Sequence, residues 1–174
     1  SNARPYDRRA IAAPSRNQLQ SQVGEEVRVH WIEDRADIEA IGDIVHAAVV
    51  STLQDRRAQA ERTRWLRGSD GDVRGRGDGV TAERLGLGGP ARWLAGRSLR
   101  PSSRFYGWGS ASMAKDTRDL VSSSGALVLL TLPRRSDAGW LVGGQAYERL
   151  ALRCATLGIA QHPLSAPIAS ERHR

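Results

Sequence analysis

The stretch from Gly125 to Gly158 constrains the fold most, because it requires a strand and a long helix in close succession. It reads GALVLLTLPRRSDAGWLVGGQAYERLALRCATLG. The apolar run from Ala126 to Leu132 is bounded by glycine and proline, which predicts a strand buried on both faces. A helix is expected from Ala138 onward, and the glycine at position 158 is expected to end it. The chain therefore combines strands with helices.

The helix from Ala138 carries a broad apolar stripe at helical spacing, namely Leu141, Tyr147, Leu150, Ala151, Cys154 and Leu157. Its first turns contain Gly143 and Gly144, and each glycine costs about 1 kcal/mol of helix propensity relative to alanine. Such a cost indicates that another backbone or a flat ligand lies close by. Packing against a second helix explains the pair at least as well as contact with a ligand.

The N-terminal part of the chain also alternates between helix and strand. Ser15 is expected to cap a short helix from Arg16 to Val23, which Gly24 stops. The following EVRVHWIE alternates polar with apolar residues, which predicts a strand with one apolar face: Val27, Val29 and Trp31. Asp34 is expected to cap the next helix, whose pattern reaches about Arg67 as one long helix or two joined helices.

Residues 68–125 differ from the rest of the chain in composition, because glycine, proline, serine and arginine dominate there. A loop of this length within a compact domain is usually functional or disordered. We therefore expect a lid-like excursion with one or two short helices, one of them in MAKDTRDLVSSS, residues 113–124. The length of 174 residues and the 40% hydrophobic content fit a single domain spanning 1–174.

The net charge of +7 comes mostly from arginine, since Lys115 is the one lysine among 26 basic residues. Most arginines alternate with acidic residues, which is typical of a solvated surface. Arg74 and Arg76 are the exception, because they lie in the glycine-rich DVRGRGDG. A mobile surface loop is the ordinary explanation, and nucleic-acid contact is the weaker alternative.

Four further features limit the possible chemistry. Cys154 is the single cysteine, in an apolar helical pattern, so we expect a buried thiol in a reducing compartment. No apolar run approaches the ~20 residues of a bilayer span and no leader opens the chain, so we expect a cytoplasmic protein without membrane contact. The histidines lack partners at zinc-ligand spacing, so no metal site is expected. The serines at 122–124 precede a strand, which excludes a nucleophile elbow.

The segment after Gly158, IAQHPLSAP, predicts a short strand and then a loop interrupted by Pro163 and Pro167. Loops at the ends of elements carry functional sites disproportionately, and free backbone amides there can serve a planar heteroaromatic ring.

Residues 124–168 resemble the C-terminal half of nitroreductase-like flavoproteins, particularly the Acg-type branch. That branch has a strand, a small-residue turn, a D-x-x-x-W-L-x-x-G-Q-A-x-x-R helix, A-T-x-x-G and an S-P-L-x-x-P loop. The matching positions here are Trp140-Leu141, Gly144-Gln145-Ala146, Arg149, Ala155-Thr156, Gly158 and Pro163-Leu164. ERTRWLR at 61–67, DGV at 78–80, LGL at 85–87 and SNARPYDRRAIAAP at 1–14 are similar to further motifs of the branch, so the resemblance covers most of the chain.

The resemblance implies an α+β nitroreductase-like fold, a mixed sheet flanked by helices, with FMN held between two similar halves. It also implies an FMN-dependent oxidoreductase that reduces nitro or quinone-type aromatic acceptors with NAD(P)H, and a homodimer. By motif position, Arg4 matches an arginine that helps bind the phosphate. The loop near the isoalloxazine corresponds to Gln161, His162, Pro163, Leu164 and Ser165. His162 replaces a small residue there, and a surface histidine is the alternative interpretation.

The sequence also departs from the family pattern. It has neither the H-N-T-Q-P-W segment of the family's other half nor the late arginine-glycine segment, and Ala3 stands where the pattern has arginine. We therefore expect half of a flavin site, completed by a second copy or by the other parts of a longer protein, or a protein that has lost flavin binding. The alternative function is a non-catalytic protein that stores or shields FMN, or a half-domain that acts by dimerisation.

Overall fold

The computed structural model describes residues 5–67, 70–81, 106–165 and 167. In chain order the elements are α1 (Ala13–Gln20), β1 (Arg28–Ile32), α2 (Arg35–Gln54), α3 (Arg56–Trp65), β2 (Leu66–Arg67), α4 (Asp70–Arg76), β3 (Val80–Thr81), α5 (Tyr106–Ser122), β4 (Leu127–Thr131) and α6 (Asp137–Thr156). The expected α+β class is confirmed.

The strands form two separate pairs. β1 pairs with β4 in antiparallel orientation, with Arg28 opposite Thr131 and Ile32 opposite Leu127. β2 and β3, of two residues each, form a parallel pair. The prediction of a single mixed sheet is therefore wrong for the described ranges of the chain.

The prediction that β4 is buried on both faces is also wrong. Val128 is 37% exposed and Leu129 is 45% exposed. Successive side chains of a strand point to opposite faces, so both faces of β4 are partly open. The physical reason is that β4 has one partner strand in the described part of the chain, whereas an internal strand has two.

The chain divides by packing into two compact units. The first unit comprises 1–41 and 120–163, and the second comprises 42–119 and 164–174. The first contains α1, β1, β4 and α6, and the second contains α3, β2, α4 and β3. That the two units form one domain stays a prediction.

The core of the first unit lies where α1 packs against α6 and the start of β1. Its buried residues are Leu19, Val23, Val27, Ala146, Leu150 and Cys154. Val29 and Trp31 pack against this cluster from β1, which confirms the predicted apolar face of that strand. The buried position of Cys154 confirms the expectation of a buried thiol.

The expected boundaries of α1 are wrong by three residues at each end. The helix begins at Ala13, so Ser15 lies inside it, and Ala12 at the cap position makes no side-chain hydrogen bond. Pro14 occupies the first turn, where its missing amide leaves no hydrogen bond unmade and its fixed φ suits the helix. The helix ends at Gln20, and the chain then turns through Gly24 with φ of 80°.

The long helical pattern after β1 forms two helices. Asp34 caps α2 as predicted, because its Oδ1 accepts the amides of Ala36 at 2.8 Å and Asp37 at 3.2 Å. Asp55 separates α2 from α3, and its Oδ1 accepts the amide of Arg57 at 2.7 Å. An aspartate that satisfies free amides at this junction favours a new helix start over continuation.

The described parts of the 68–125 excursion are more regular than expected. Arg74 and Arg76 lie exposed in the last turn of α4, rather than in a loop. Gly77 ends this helix, with φ of 69° and its amide bonded to the Val73 carbonyl at 2.9 Å. The predicted helix in 113–124 is confirmed as the C-terminal part of α5. Residues 82–105, including the LGL motif at 85–87, lie outside the described residues, and a lid stays a prediction.

Candidate functional site

Helix α6 is fixed at both ends. At the start, Ser136 Oγ accepts the Gly139 amide at 3.1 Å. At the end, Gly158 adopts φ of 67°, and the amides of Ile159 and Gly158 bond to the carbonyls of Cys154 at 2.8 Å and Ala155 at 3.2 Å. These two bonds define a Schellman motif, which confirms that the helix ends at Gly158.

The buried face of α6 differs in part from the predicted stripe. Ala146, Leu150 and Cys154 are buried at four-residue spacing. Leu141, which we placed on the stripe, is 71% exposed. Trp140 and Leu152 are each 59% exposed as well. The helix has apolar residues on more than one face, and contact with α1 decides which face is buried.

The two glycines of α6 have different surroundings. A Cβ added at Gly143 would lie 2.9 Å from Leu132 Cδ1, so this glycine permits close packing. Its neighbour is a side chain just after β4, whereas our packing alternative placed a second helix there. A Cβ at Gly144 would meet nothing within 4 Å. Gly144 therefore leaves an open surface on the first half of the helix.

The loop after α6 is attached to the helix by a side-chain hydrogen bond. Tyr147 Oη donates to Gln161 Oε1 at 3.1 Å. Residues 159–165 form no strand, so the expected short strand is wrong. The Schellman turn redirects the chain at its start, and Pro163 lacks the amide that a strand ladder needs.

The predicted loop residues divide between the two units. Gln161 is half-buried, and His162 and Pro163 are exposed; all three belong to the first unit. Leu164 and Ser165 belong to the second unit, the former half-buried and the latter exposed. Arg4 lies outside the described residues. The contact of these residues with a flavin stays a prediction.

The first unit also has an open depression. It is lined by residues between the end of α1 and β1, among them Gln20, Gly24, Arg28 and His30. His30 Nε2 lies 2.9 Å from Thr131 Oγ1 across the β1–β4 pair, so its ring is engaged with the neighbouring strand.

The serines at 122–124 form a polar cluster that the sequence analysis missed. All three are buried. Ser123 Oγ accepts the amide of Tyr6 at 2.9 Å and donates to the Leu120 carbonyl at 2.8 Å. The Ser123 carbonyl accepts the amide of Arg8 at 3.1 Å. One residue at the end of α5 therefore holds two positions of the N-terminal segment.

Arg35 completes this cluster from the first turn of α2. Its Nη1 donates to the Ser124 carbonyl at 2.7 Å, and its Nη2 donates to the Ser122 carbonyl at 2.5 Å. Ser122 Oγ donates to Glu39 Oε2 at 2.7 Å. A guanidinium at the C-terminal end of α5 binds carbonyls that lack helical partners and complements the helix dipole.

Residues 5–10, which we call the N-terminal strap, cross this cluster closely. A Cβ added at Gly125 would lie 1.9 Å from the Arg9 carbonyl oxygen. Arg8 has φ of 59°, a left-handed conformation that costs a non-glycine residue about 1 kcal/mol or more. Asp7 Oδ1 accepts the Arg9 amide at 3.0 Å and stabilises the turn. The conformation of the strap is therefore imposed by its contacts.

Two titratable groups of the first unit have pKa values that burial raises. Burial raises the pKa of the Cys154 thiol, so this group is neutral near pH 7 and weakly nucleophilic. Burial also raises the pKa of the Tyr6 hydroxyl. Among the described residues, no group of three His, Cys, Asp or Glu side chains is placed to hold a metal ion. None of the described helices is long and apolar enough to cross a membrane.

Comparison of the chain with protein-family models, with curated proteins and with solved structures gave no match. The resemblance to nitroreductase-like flavoproteins therefore depends on its motif residues alone.

Proposed function

We propose that the chain is a nitroreductase-family flavoprotein, an FMN-dependent oxidoreductase that reduces nitro or quinone-type acceptors with NAD(P)H. In this proposal α6 and residues 159–163 form one wall of the FMN site, within a nitroreductase-like fold. The observation that carries it is the hydrogen bond from Tyr147 to Gln161, which orders the motif-bearing loop against the motif-bearing helix.

An ordered wall is what a flat cofactor requires, because groups already in place lose little entropy on binding. Gln161 uses its carbonyl oxygen for Tyr147, and its amide NH₂ makes no hydrogen bond among the described residues. An amide donor suits the carbonyl and imine acceptors of a flavin ring. His162 and Pro163 are exposed beside it and available for contact with the ring.

In this proposal the cofactor supplies the hydride chemistry when bound, and the chain binds and orients it. Gln161 and its loop neighbours contact the ring, and Arg4 contacts the phosphate. NAD(P)H and the aromatic acceptor reach the exposed side, and a second copy of the chain completes the site.

A second candidate is a non-catalytic FMN-binding protein, or a half-domain that acts by dimerisation. The observation that favours it is the exposure of three large apolar side chains on α6: Trp140, Leu141 and Leu152. Trp140 and Leu141 are neighbours at the start of α6, and large apolar side chains that are exposed side by side are a feature of association sites. The open space at Gly144, between the first two and the third, would let a partner approach the helix backbone.

Flavin absorbance and reduction separate these candidates. We expect the purified chain to take up FMN, with near-ultraviolet and blue bands that bleach when NAD(P)H is added without oxygen. Bands that persist under NAD(P)H would support the storage protein instead. A colourless protein that takes up no FMN would contradict both flavin proposals, and dimers in sedimentation would then support the half-domain.

The role of Gln161 has a matched control. Gln161→Ala should weaken FMN binding about fivefold to tenfold, the effect of one hydrogen bond of about 1 kcal/mol. Gln54→Ala, an exposed glutamine in the second unit, should leave affinity unchanged. Equal affinities of the two variants in a fluorescence titration would rule out the proposed ring contact.

A further inference from the structure

We infer that β4 is the surface by which the chain binds a second copy of itself. The two β4 strands pair in antiparallel orientation along their open edges, and the two-stranded sheets of both copies join into one sheet of four strands. This pairing requires no flavin, so it goes beyond the function proposed above.

One edge of β4 has no strand beside it within the described residues. β1 pairs along the other edge over its full length, from Arg28 opposite Thr131 to Ile32 opposite Leu127. In an antiparallel pair, alternate residues direct their amide and carbonyl away from the partner strand. Val128 and Leu129, in the middle of β4, are 37% and 45% exposed. The open edge is therefore accessible to another strand.

This edge lacks the features that keep a strand from pairing with other chains. Native proteins protect an open edge with charged side chains, proline or a bulge. β4 reads LVLLT, without charge or proline, and its register with β1 runs through all five residues without a bulge. β1 differs, because Arg28 and His30 are exposed on it. An apolar edge without protection indicates that another strand covers β4.

A second copy of β4 fits the open edge by symmetry. Two identical antiparallel strands are related by a two-fold axis perpendicular to the sheet, so the residue on the axis lies opposite itself. When all five residues pair, Leu129 lies opposite Leu129 of the second copy, Val128 opposite Leu130, and Leu127 opposite Thr131. Directly opposite apolar side chains stabilise a strand pair. The self-pairing of β4 therefore joins apolar residues at its centre.

Charge favours the antiparallel orientation of the two copies. Arg134 and Arg135 follow β4 and are exposed. A parallel pair would place these arginines side by side, where like charges repel. The antiparallel pair separates them by more than the ~17 Å length of a five-residue strand, which exceeds the screening length of about 8 Å at physiological salt.

Sedimentation equilibrium of the full chain without FMN measures the dissociation constant of the dimer. We expect the wild type to form dimers. Leu129→Lys should weaken them about tenfold or more, because two ammonium groups then replace the central leucine pair. Leu141→Lys is the matched control, since it makes the same change at a leucine of α6 that is 71% exposed. It should leave the dissociation constant unchanged.

Cysteine variants test the register of the pair. Cys154 is the single cysteine of the chain and is buried, so an added oxidant reaches the introduced thiol first. Leu129→Cys should give a disulfide-linked dimer, because directly opposite Cβ atoms lie about 4.5–5.5 Å apart, close to the range of a disulfide. Leu127→Cys should not, because its two copies lie four residues apart along the strand, ~14 Å.

Several outcomes would overturn the inference. A wild type that stays monomeric at every concentration would leave β4 as a site for a different peptide. A dimer that Leu129→Lys leaves intact would contradict the pairing, and its loss in Leu141→Lys would place the contact on α6. Equal crosslinking of Leu129→Cys and Leu127→Cys would contradict the register. If thermal unfolding shows that Leu129→Lys does not fold, the two cysteine variants decide.

FMN titration of the same samples separates this inference from the flavin proposal. A dimer that takes up no FMN would support the β4 pairing and contradict the flavin proposal. A monomer that takes up FMN would overturn the β4 pairing and leave flavin binding standing.

Discussion

At the residue scale, Gly125 and Gly144 differ in what an added methyl group would meet. At Gly125 it would lie 1.9 Å from the backbone carbonyl of Arg9, which cannot move without displacing the strap. At Gly144 it would meet nothing within 4 Å, in the interior of α6. The same substitution should therefore have opposite effects at the two positions.

We expect Gly125→Ala to lower the free energy of unfolding by about 1–3 kcal/mol, the usual cost of overpacking. Gly144→Ala should raise it by up to about 1 kcal/mol, since alanine is the better helix former. Urea denaturation of both variants and the wild type measures the two changes. A Gly125→Ala protein as stable as the wild type would show that the close approach of Arg9 is not required.

The hydrogen-bonding role of a residue could be predicted from the sequence only where its partners are near it along the chain. Asp34 was predictable as a cap because its partners, Ala36 and Asp37, are its chain neighbours. Ser123 was not predictable, because its partner Tyr6 lies 117 positions away. A local pattern carries no information about a contact of that range.

At the element scale, Ser136 and Ser15 show how a serine near the start of a helix can cap it or lie inside it. Ser136 caps α6 through a bond to the Gly139 amide, whereas Ser15 lies inside α1 and caps nothing. The sequence pattern favoured Ser15 because it follows Pro14. The structure instead puts that proline in the first turn, which moves the start of α1 toward the N-terminus.

Ser136→Ala should lower the free energy of unfolding by about 1 kcal/mol, because it leaves an amide of the first turn without its acceptor. Ser136→Asp should retain most of the stability, since a carboxylate accepts the same bond. Ser15→Ala should be neutral or slightly stabilising, because alanine is favoured in a helix interior. Thermal unfolding of the three variants compares these effects, and a destabilised Ser15→Ala would contradict the helix start observed here.

At the scale of the whole molecule, the buried Cys154 thiol links stability to pH. Burial raises its pKa in the folded protein, so the unfolded chain loses this proton first as pH rises. The unfolded state then binds fewer protons than the folded state, and the free energy of unfolding falls with pH. The loss begins near the ordinary thiol pKa of about 8.5 and continues toward the raised value.

We expect the urea midpoint of the wild type to fall between pH 8 and pH 10 and that of Cys154→Ala to fall less. The variant should be less stable at pH 8, because it loses buried volume. The quantity to compare is therefore the slope of the urea midpoint against pH. Burial of Tyr6 adds a loss of the same sign at higher pH, and both proteins share it. Parallel curves over this range would mean that the thiol does not contribute.

The sequence by itself determined several of the local elements, among them β1 and α6. β1 was predicted from the alternation around Val29, and α6 from an apolar stripe that includes Leu150 and Cys154 and from the glycine at 158, because these signals depend on near neighbours along the chain. The motif residues of the proposed flavin wall were also read from the sequence alone.

The tertiary structure decided which surfaces those elements bury. Leu141 and Leu150 are equally apolar, yet contact with α1 buries one and leaves the other exposed. β4 is apolar on both faces and received one partner, and the serines at the end of α5 became an anchor for the strap. Which surfaces are buried depends on contacts between residues that are distant in sequence. Many arrangements satisfy the same local pattern, and packing selects one of them.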